Sequence, residues 1–149
     1  MPGELLKIMD AVTDEKVKAI VERLLGEQVT EFKLYQKVHG YYISFRFDGE
    51  TITNRIIVNK HAARGGSWSR TDPKVLMINN DYRITELKSL AFHQAMLKYL
   101  WEKYRLDWMK EGSEVAEAIE RRIAKDVGIA WPAWKLGLEK HSEKMTGPA

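Results

Sequence analysis

The sequence predicts an α+β domain: a four-stranded antiparallel sheet packed with two N-terminal helices, one long helix and further C-terminal helices. Two observations carry this. The apolar period changes from 3.6 to 2 near Glu31 and back again near Thr85. Between those points, His39-Gly40 and Asp48-Gly49 mark tight turns that would join the first three strands as a meander.

The helices follow from spacing and caps. In "ELLKIMDAV" the apolar Leu5, Ile8, Met9 and Val12 fall on one helical face. Thr13 reads as the N-cap of a second helix, with Asp14 and Glu15 in its first turn. Val17, Ile20, Val21, Leu24 and Leu25 make its stripe, and Gly26 ends it. A long helix is expected from about Thr85 to Lys110, with Gln94 interrupting an apolar series that includes Leu87, Leu90, Leu97 and Trp101. Gly112-Ser113 breaks it, Ser113 caps "EVAEAIERRIAKDV", and Gly128 closes that helix. A short last helix starts at Pro132, and residues 141–149 read as a frayed tail.

The strands are "EFKLYQKV", "YYISFRF", "TITNRIIV" and "KVLMIN". Asp-Gly suits a two-residue hairpin because both central positions take positive φ; His-Gly is a weaker relative. The stretch "KHAARGGSWSRTDP" between the third and fourth strands is long for a mere connection.

With 149 residues, 44% apolar and 30% charged, the chain suits one globular domain over 1–149. No run approaches the roughly 18 apolar residues of a membrane span, the N-terminus does not read as a secretory signal, and there is no cysteine. A cytoplasmic location is the expectation. The net charge of +3 is uneven: residues 1–31 carry four basic and seven acidic side chains, whereas 32–83 carry nine and four. The basic excess therefore sits in the meander and the loop after it, where it should attract anions.

Register decides which side chains share a face. A His39-Gly40 loop pairs Val38 with Tyr41, Gln36 with Ile43, Leu34 with Phe45 and Phe32 with Phe47. An Asp48-Gly49 loop sets Ile52 beside Phe45, Asn54 beside Ile43 and Ile56 beside Tyr41. That face is apolar apart from Gln36 and Asn54, and helices should cover it. The other face collects Lys33, Tyr35 and Lys37, then Tyr42, Ser44 and Arg46, then Thr51, Thr53, Arg55 and Ile57, with Glu31 the one acid at its rim. Like charges close together on a sheet cost stability, and a surface selected for solubility alone would mix signs.

Cations that follow phosphates, beside rings that stack on unpaired bases, are what single-stranded nucleic acid requires. The loop adds Arg64, Trp68 and Arg70 around Gly65-Gly66. The expected binding residues are thus Lys33, Lys37, Arg46, Arg55, Arg64 and Arg70 for phosphates, and Tyr35, Tyr42 and Trp68 for bases. Three readings compete with this. Tyr35 and Tyr42 could form a stabilising cross-strand cluster, a helix could bury them, or the face could meet another protein chain in an oligomeric interaction domain. A stripe of Lys98, Trp101, Arg105 and Trp108 on the long helix reads first as packing and second as a further stacking wall.

Catalysis finds little support. The four histidines are scattered without metal-ligand spacing, and no phosphate-binding loop is present. Asp72 and Asp81, flanking the fourth strand, are a weak metal-nuclease signal. No cofactor and no metal site are expected.

The layout of "KLYQKVHGYYISFRF" and "TNRIIVNK" followed by the Trp-rich "LKYLWEKYRLDW" resembles the archaeal ThermoDBP family and its related proteins. These are single-stranded nucleic-acid-binding proteins of thermophilic archaea, distinct from the OB-fold binders. The resemblance implies an α+β domain with an aromatic-lined, positively edged cleft, no catalysis, and homo-oligomers. This chain lacks the long C-terminal leucine-heptad segment of part of that family.

Overall fold

The computed structural model describes residues 15–38, 40–62, 66–69, 72 and 74–129. The expected first helix, the Thr13 cap, the helix at Pro132 and the tail 141–149 lie outside the described residues. Within them, three helices and five strands form an α+β arrangement. Helix α1 covers 15–25. Strands β1 (Thr30–Lys37), β2 (Gly40–Phe47) and β3 (Glu50–Val58) follow, then β4 (Ser67–Trp68) and β5 (Val75–Ile78). Helices α2 (Ile84–Tyr104) and α3 (Glu111–Val127) complete the order.

The sheet runs β1-β2-β3-β5-β4, and it is mixed. The meander β1-β2-β3 is antiparallel as expected, but β5 lies parallel to β3 and β4 pairs antiparallel with β5. The expected four-stranded antiparallel sheet is corrected on both counts. β4 has only two residues, too few for any period, and it lies inside the long connection. That connection carries the chain past the position of β5 and back, so the last strand enters from the same end as β3.

The β2–β3 turn is as the Asp-Gly pair requires. Phe47 pairs with Glu50, and Asp48 and Gly49 hold φ of 56° and 73°. The β1–β2 register differs from expectation by two residues: Lys37 pairs with Gly40, Gln36 with Tyr41 and Leu34 with Ile43. A slip of two keeps every side chain on its own face. It also brings Tyr35 opposite Tyr42, and the two rings stack 5.5 Å apart and 13° from parallel. Near the start of β1 a bulge shifts the register between Thr30 and Lys33, where Glu31 has φ of 52°.

One face of the sheet carries the core. Ile43, Phe45, Phe47, Ile52, Ile56, Leu76 and Ile78 pack with Leu90, Phe92, Met96 and Leu97 of α2. Asn54 is buried in that face at 3% exposure, whereas Gln36 is exposed. Helix α3 lays Val115, Ala116, Ile119 and Ile123 into the same core.

Helix α2 ends six residues before the expected limit. Leu106 is buried, which turns the chain inward just after Tyr104. Arg105 takes the left-handed conformation (φ 57°), and its amide bonds the Trp101 carbonyl at 2.9 Å. Its guanidinium lies 5.0 Å from the centre of the Trp101 ring. Gly112 and Ser113 fall inside the first turn of α3, so Ser113 is not a cap; Gly128 does close α3. No described helix is long and apolar enough to cross a membrane.

Candidate functional site

Parity along the meander places six of the expected residues on the face opposite the helices. Lys33 pairs with Ser44 and Ser44 with Thr53; Arg46 pairs with Thr51. A second row, Tyr35, Tyr42, Arg55 and Val75, crosses four strands side by side. Among the described residues, no helix covers this face.

The tyrosine pair is the centre of it. Lys33 Nζ lies 5.5 Å from the centre of the Tyr35 ring. Lys37 Nζ reaches both rings, at 5.5 Å from Tyr35 and 5.7 Å from Tyr42. Both tyrosines are half-buried and both lysines exposed, so amino groups and ring surface meet solvent together. Below them, the Ser44 and Thr53 hydroxyls bond each other at 3.0 Å.

Arg46 stands apart from the other cations. It lies 3.4 Å from Glu31 across the bulge and donates to Thr51 Oγ1 at 3.0 Å. Its charge is partly compensated, and the cations placed over the rings are Lys33 and Lys37. A groove of about 480 Å³ opens beside Tyr42, bounded by Thr51, Thr53, Arg55, Asp72, Lys74 and Val75. Lys74 was not legible as a site residue. It joins Tyr42 and Arg55 only because its carbonyl accepts the Arg55 amide at 2.7 Å, a consequence of the parallel strand.

Trp68 is not on this face. It pairs with Leu76 in the core register, is 5% exposed and meets Trp108 edge to face at 5.8 Å. Its expected role in stacking on bases is corrected: Ser67 pairs with Met77 and Trp68 with Leu76, so the two lie on opposite faces, both buried, with Trp68 on the core side. Trp101 and Trp108 join it, 4.9 Å apart, and Lys98 is nearly buried and bonded to Glu102. The helix stripe therefore packs on the helix side of the sheet. Arg64 and Arg70 lie outside the described residues.

The geometry of the β2–β3 hairpin is fixed from outside the site. Asp48 accepts hydrogen bonds from Arg23 at 2.6 Å, Tyr99 at 2.8 Å and Tyr104. Burial raises the Asp48 pKa, but these three donors outweigh it and hold the group at about 2. Glu50 accepts from Lys103 at 2.6 Å and shares the one Tyr99 hydroxyl proton with Asp48, at 2.7 Å from Oη, which holds its carboxyl below the usual range. Among the described residues, no cluster of three His, Asp or Glu could hold a metal ion.

No protein-family model, curated protein or solved structure matches the chain.

Proposed function

We propose that the protein binds single-stranded DNA or RNA on the open face of the sheet, with little sequence preference and without catalysis. The observation that carries this is the stacked Tyr35–Tyr42 pair with Lys33 and Lys37 against its rings and Arg55 beside it. Phosphates follow Lys33, Lys37, Arg55 and Lys74, with Arg46 a weaker contact because of Glu31. A base enters the groove beside Tyr42, where ring surface, hydroxyls and cations converge. The layout resemblance to the ThermoDBP proteins supports the same reading and adds assembly as a homo-oligomer, which light scattering would test.

The described tryptophans Trp68, Trp101 and Trp108 pack on the helix side, so the titration calls for an end-labelled oligonucleotide and anisotropy. A site neutralising about three or four phosphates gives a log–log salt slope of about −2 to −3 on oligo-dT or oligo-U. Replacing Tyr35 and Tyr42 together with Ala is expected to weaken binding by about tenfold or more, since stacking contributes about 1–3 kcal/mol per base. Equal affinity for the matching duplex, or unchanged affinity in the double variant, overturns the proposal.

A further inference from the structure

The two tyrosines of the open face are not equivalent. Tyr35 and Tyr42 are direct cross-strand partners, with ring centres 5.5 Å apart and planes 13° from parallel. Neighbouring strands lie about 4.8 Å apart, so the stack runs across the sheet, from β1 towards β3. Each ring therefore turns one face to the other and keeps one face for a ligand.

Those remaining faces meet different surroundings. Strand β1 is at the edge of the sheet, so the second face of Tyr35 is turned away from the neighbouring strands. The second face of Tyr42 is turned towards β3, where Arg55 is its register partner. Tyr42 there borders the groove of about 480 Å³, and Tyr35 is not part of its lining. That lining includes Asp72 as well as Arg55 and Lys74, with Thr51 and Thr53. Such a mixture of donors and acceptors suits the edge of a neutral base. Tyr35 is also the more crowded ring. Lys33 and Lys37 each place Nζ 5.5 Å from its centre, so a base stacked on it would compete with an ammonium for the π surface.

Resting on the nucleic-acid reading of the open face, we propose that Tyr42 alone stacks on the ligand, so that the face holds one unpaired base per chain. Tyr35 is then a positioning residue that braces the Tyr42 ring from behind. Cross-strand pairs of an aromatic with an aromatic or a β-branched residue both stabilise a sheet face by packing. An aliphatic side chain at position 35 can therefore brace the ring. None can replace the π surface of Tyr42 against a base.

The test is anisotropy with end-labelled oligo-dT on the full chain and its variants Tyr42→Ile, Tyr42→Phe, Tyr35→Ile and Tyr35→Ala. Isoleucine and phenylalanine are strand formers, which keeps the sheet. Urea midpoints separate a loss of binding from a loss of fold, and Tyr42→Thr takes the place of Tyr42→Ile if that variant is unfolded. Tyr42→Ile is expected to weaken binding about tenfold or more, and Tyr42→Phe to stay within about twofold of the native chain. Tyr35→Ile should also stay within about twofold, whereas Tyr35→Ala, which removes the brace, weakens binding about two- to fivefold. A loss in Tyr35→Ile as large as in Tyr42→Ile overturns the inference and leaves nucleic-acid binding standing, with two stacked bases in place of one. Native affinity in Tyr35→Ala overturns the bracing role. Native affinity in Tyr42→Ile overturns the inference together with base stacking on this face. A native chain that does not bind oligo-dT overturns the proposed function, and this inference with it.

Discussion

At the residue scale, Asp48 does two jobs that a sequence reading separates. Its place before Gly49 announces a turn, and the backbone takes the left-handed conformation that the turn needs. Its carboxylate, however, is the meeting point of Arg23, Tyr99 and Tyr104, which are distant in sequence. Asp48→Asn keeps a residue that tolerates positive φ and removes the charge. It is expected to cost about 1–3 kcal/mol, the scale of hydrogen bonds to a charged group, measured as a drop in urea midpoint. The folded pKa lies near 2, below the ordinary 3.8, so the contribution is complete above about pH 4. It is lost as pH falls toward 2, and D48N should remove that part of the acid dependence. The same residue scale separates Trp68 from the open face. A ring in a basic loop reads as a stacking residue, and only its pairing with Leu76 shows it turned inward.

At the element scale, the meander was legible because alternation and turn chemistry act over neighbouring residues. Lys33, Tyr35, Lys37, Tyr42, Arg46 and Arg55 share a face in either β1–β2 register, so the two-residue slip did not disturb the site. The connection between β3 and β5 was not legible, and its path depends on contacts with α2. Gly66 shows this. It holds φ of 81°, and an added Cβ would come within 2.9 Å of both Gln94 Cγ and Ile78 Cδ1. Gln94, which broke the apolar stripe of α2, is the buried floor on which the connection rests. Gly66→Ala is expected to destabilise the fold by about 1–3 kcal/mol through strain and overpacking. Thermal unfolding would show it, and a change within experimental scatter would contradict this account of the connection. The end of α2 teaches the same lesson. Gly112 looked like the break, but burial of Leu106 placed it at Arg105.

At the scale of the whole molecule, the α2–α3 contact sets a pH dependence of stability. His93 and Glu120 are both buried, with Nδ1 and Oε2 3.9 Å apart. Burial pushes His93 down to about 4. Burial, with Glu117 nearby, pushes Glu120 well above the usual carboxylate range. Burial thus favours the neutral imidazole of His93 and the neutral carboxyl of Glu120 in the folded protein. Below about pH 6.5 the unfolded chain protonates its histidine, and above about 4.5 it ionises its glutamate. Between these values the two shifts oppose each other: the lowered His93 makes stability rise with pH and the raised Glu120 makes it fall. Above 6.5 only the raised Glu120 still acts, and stability falls as pH rises through its folded pKa, by at most about 1.4 kcal/mol per pH unit. Glu120→Gln should remove this alkaline decline. Urea midpoints of both proteins from pH 6 to 9 would check it, and parallel curves would refute it.

By itself, the sequence determined the α+β class, the meander, its two faces and the concentration of cations and tyrosines on one of them. Periodicity and turn propensity are local, and their consequences survive a change of register by two. Tertiary structure alone decided the rest. The parallel entry of β5, the inward turn of Trp68 and the arrival of Lys74 beside Tyr42 all depend on where a long connection lands. That landing is set by burial against α2, between residues far apart in the chain, and no local pattern records it.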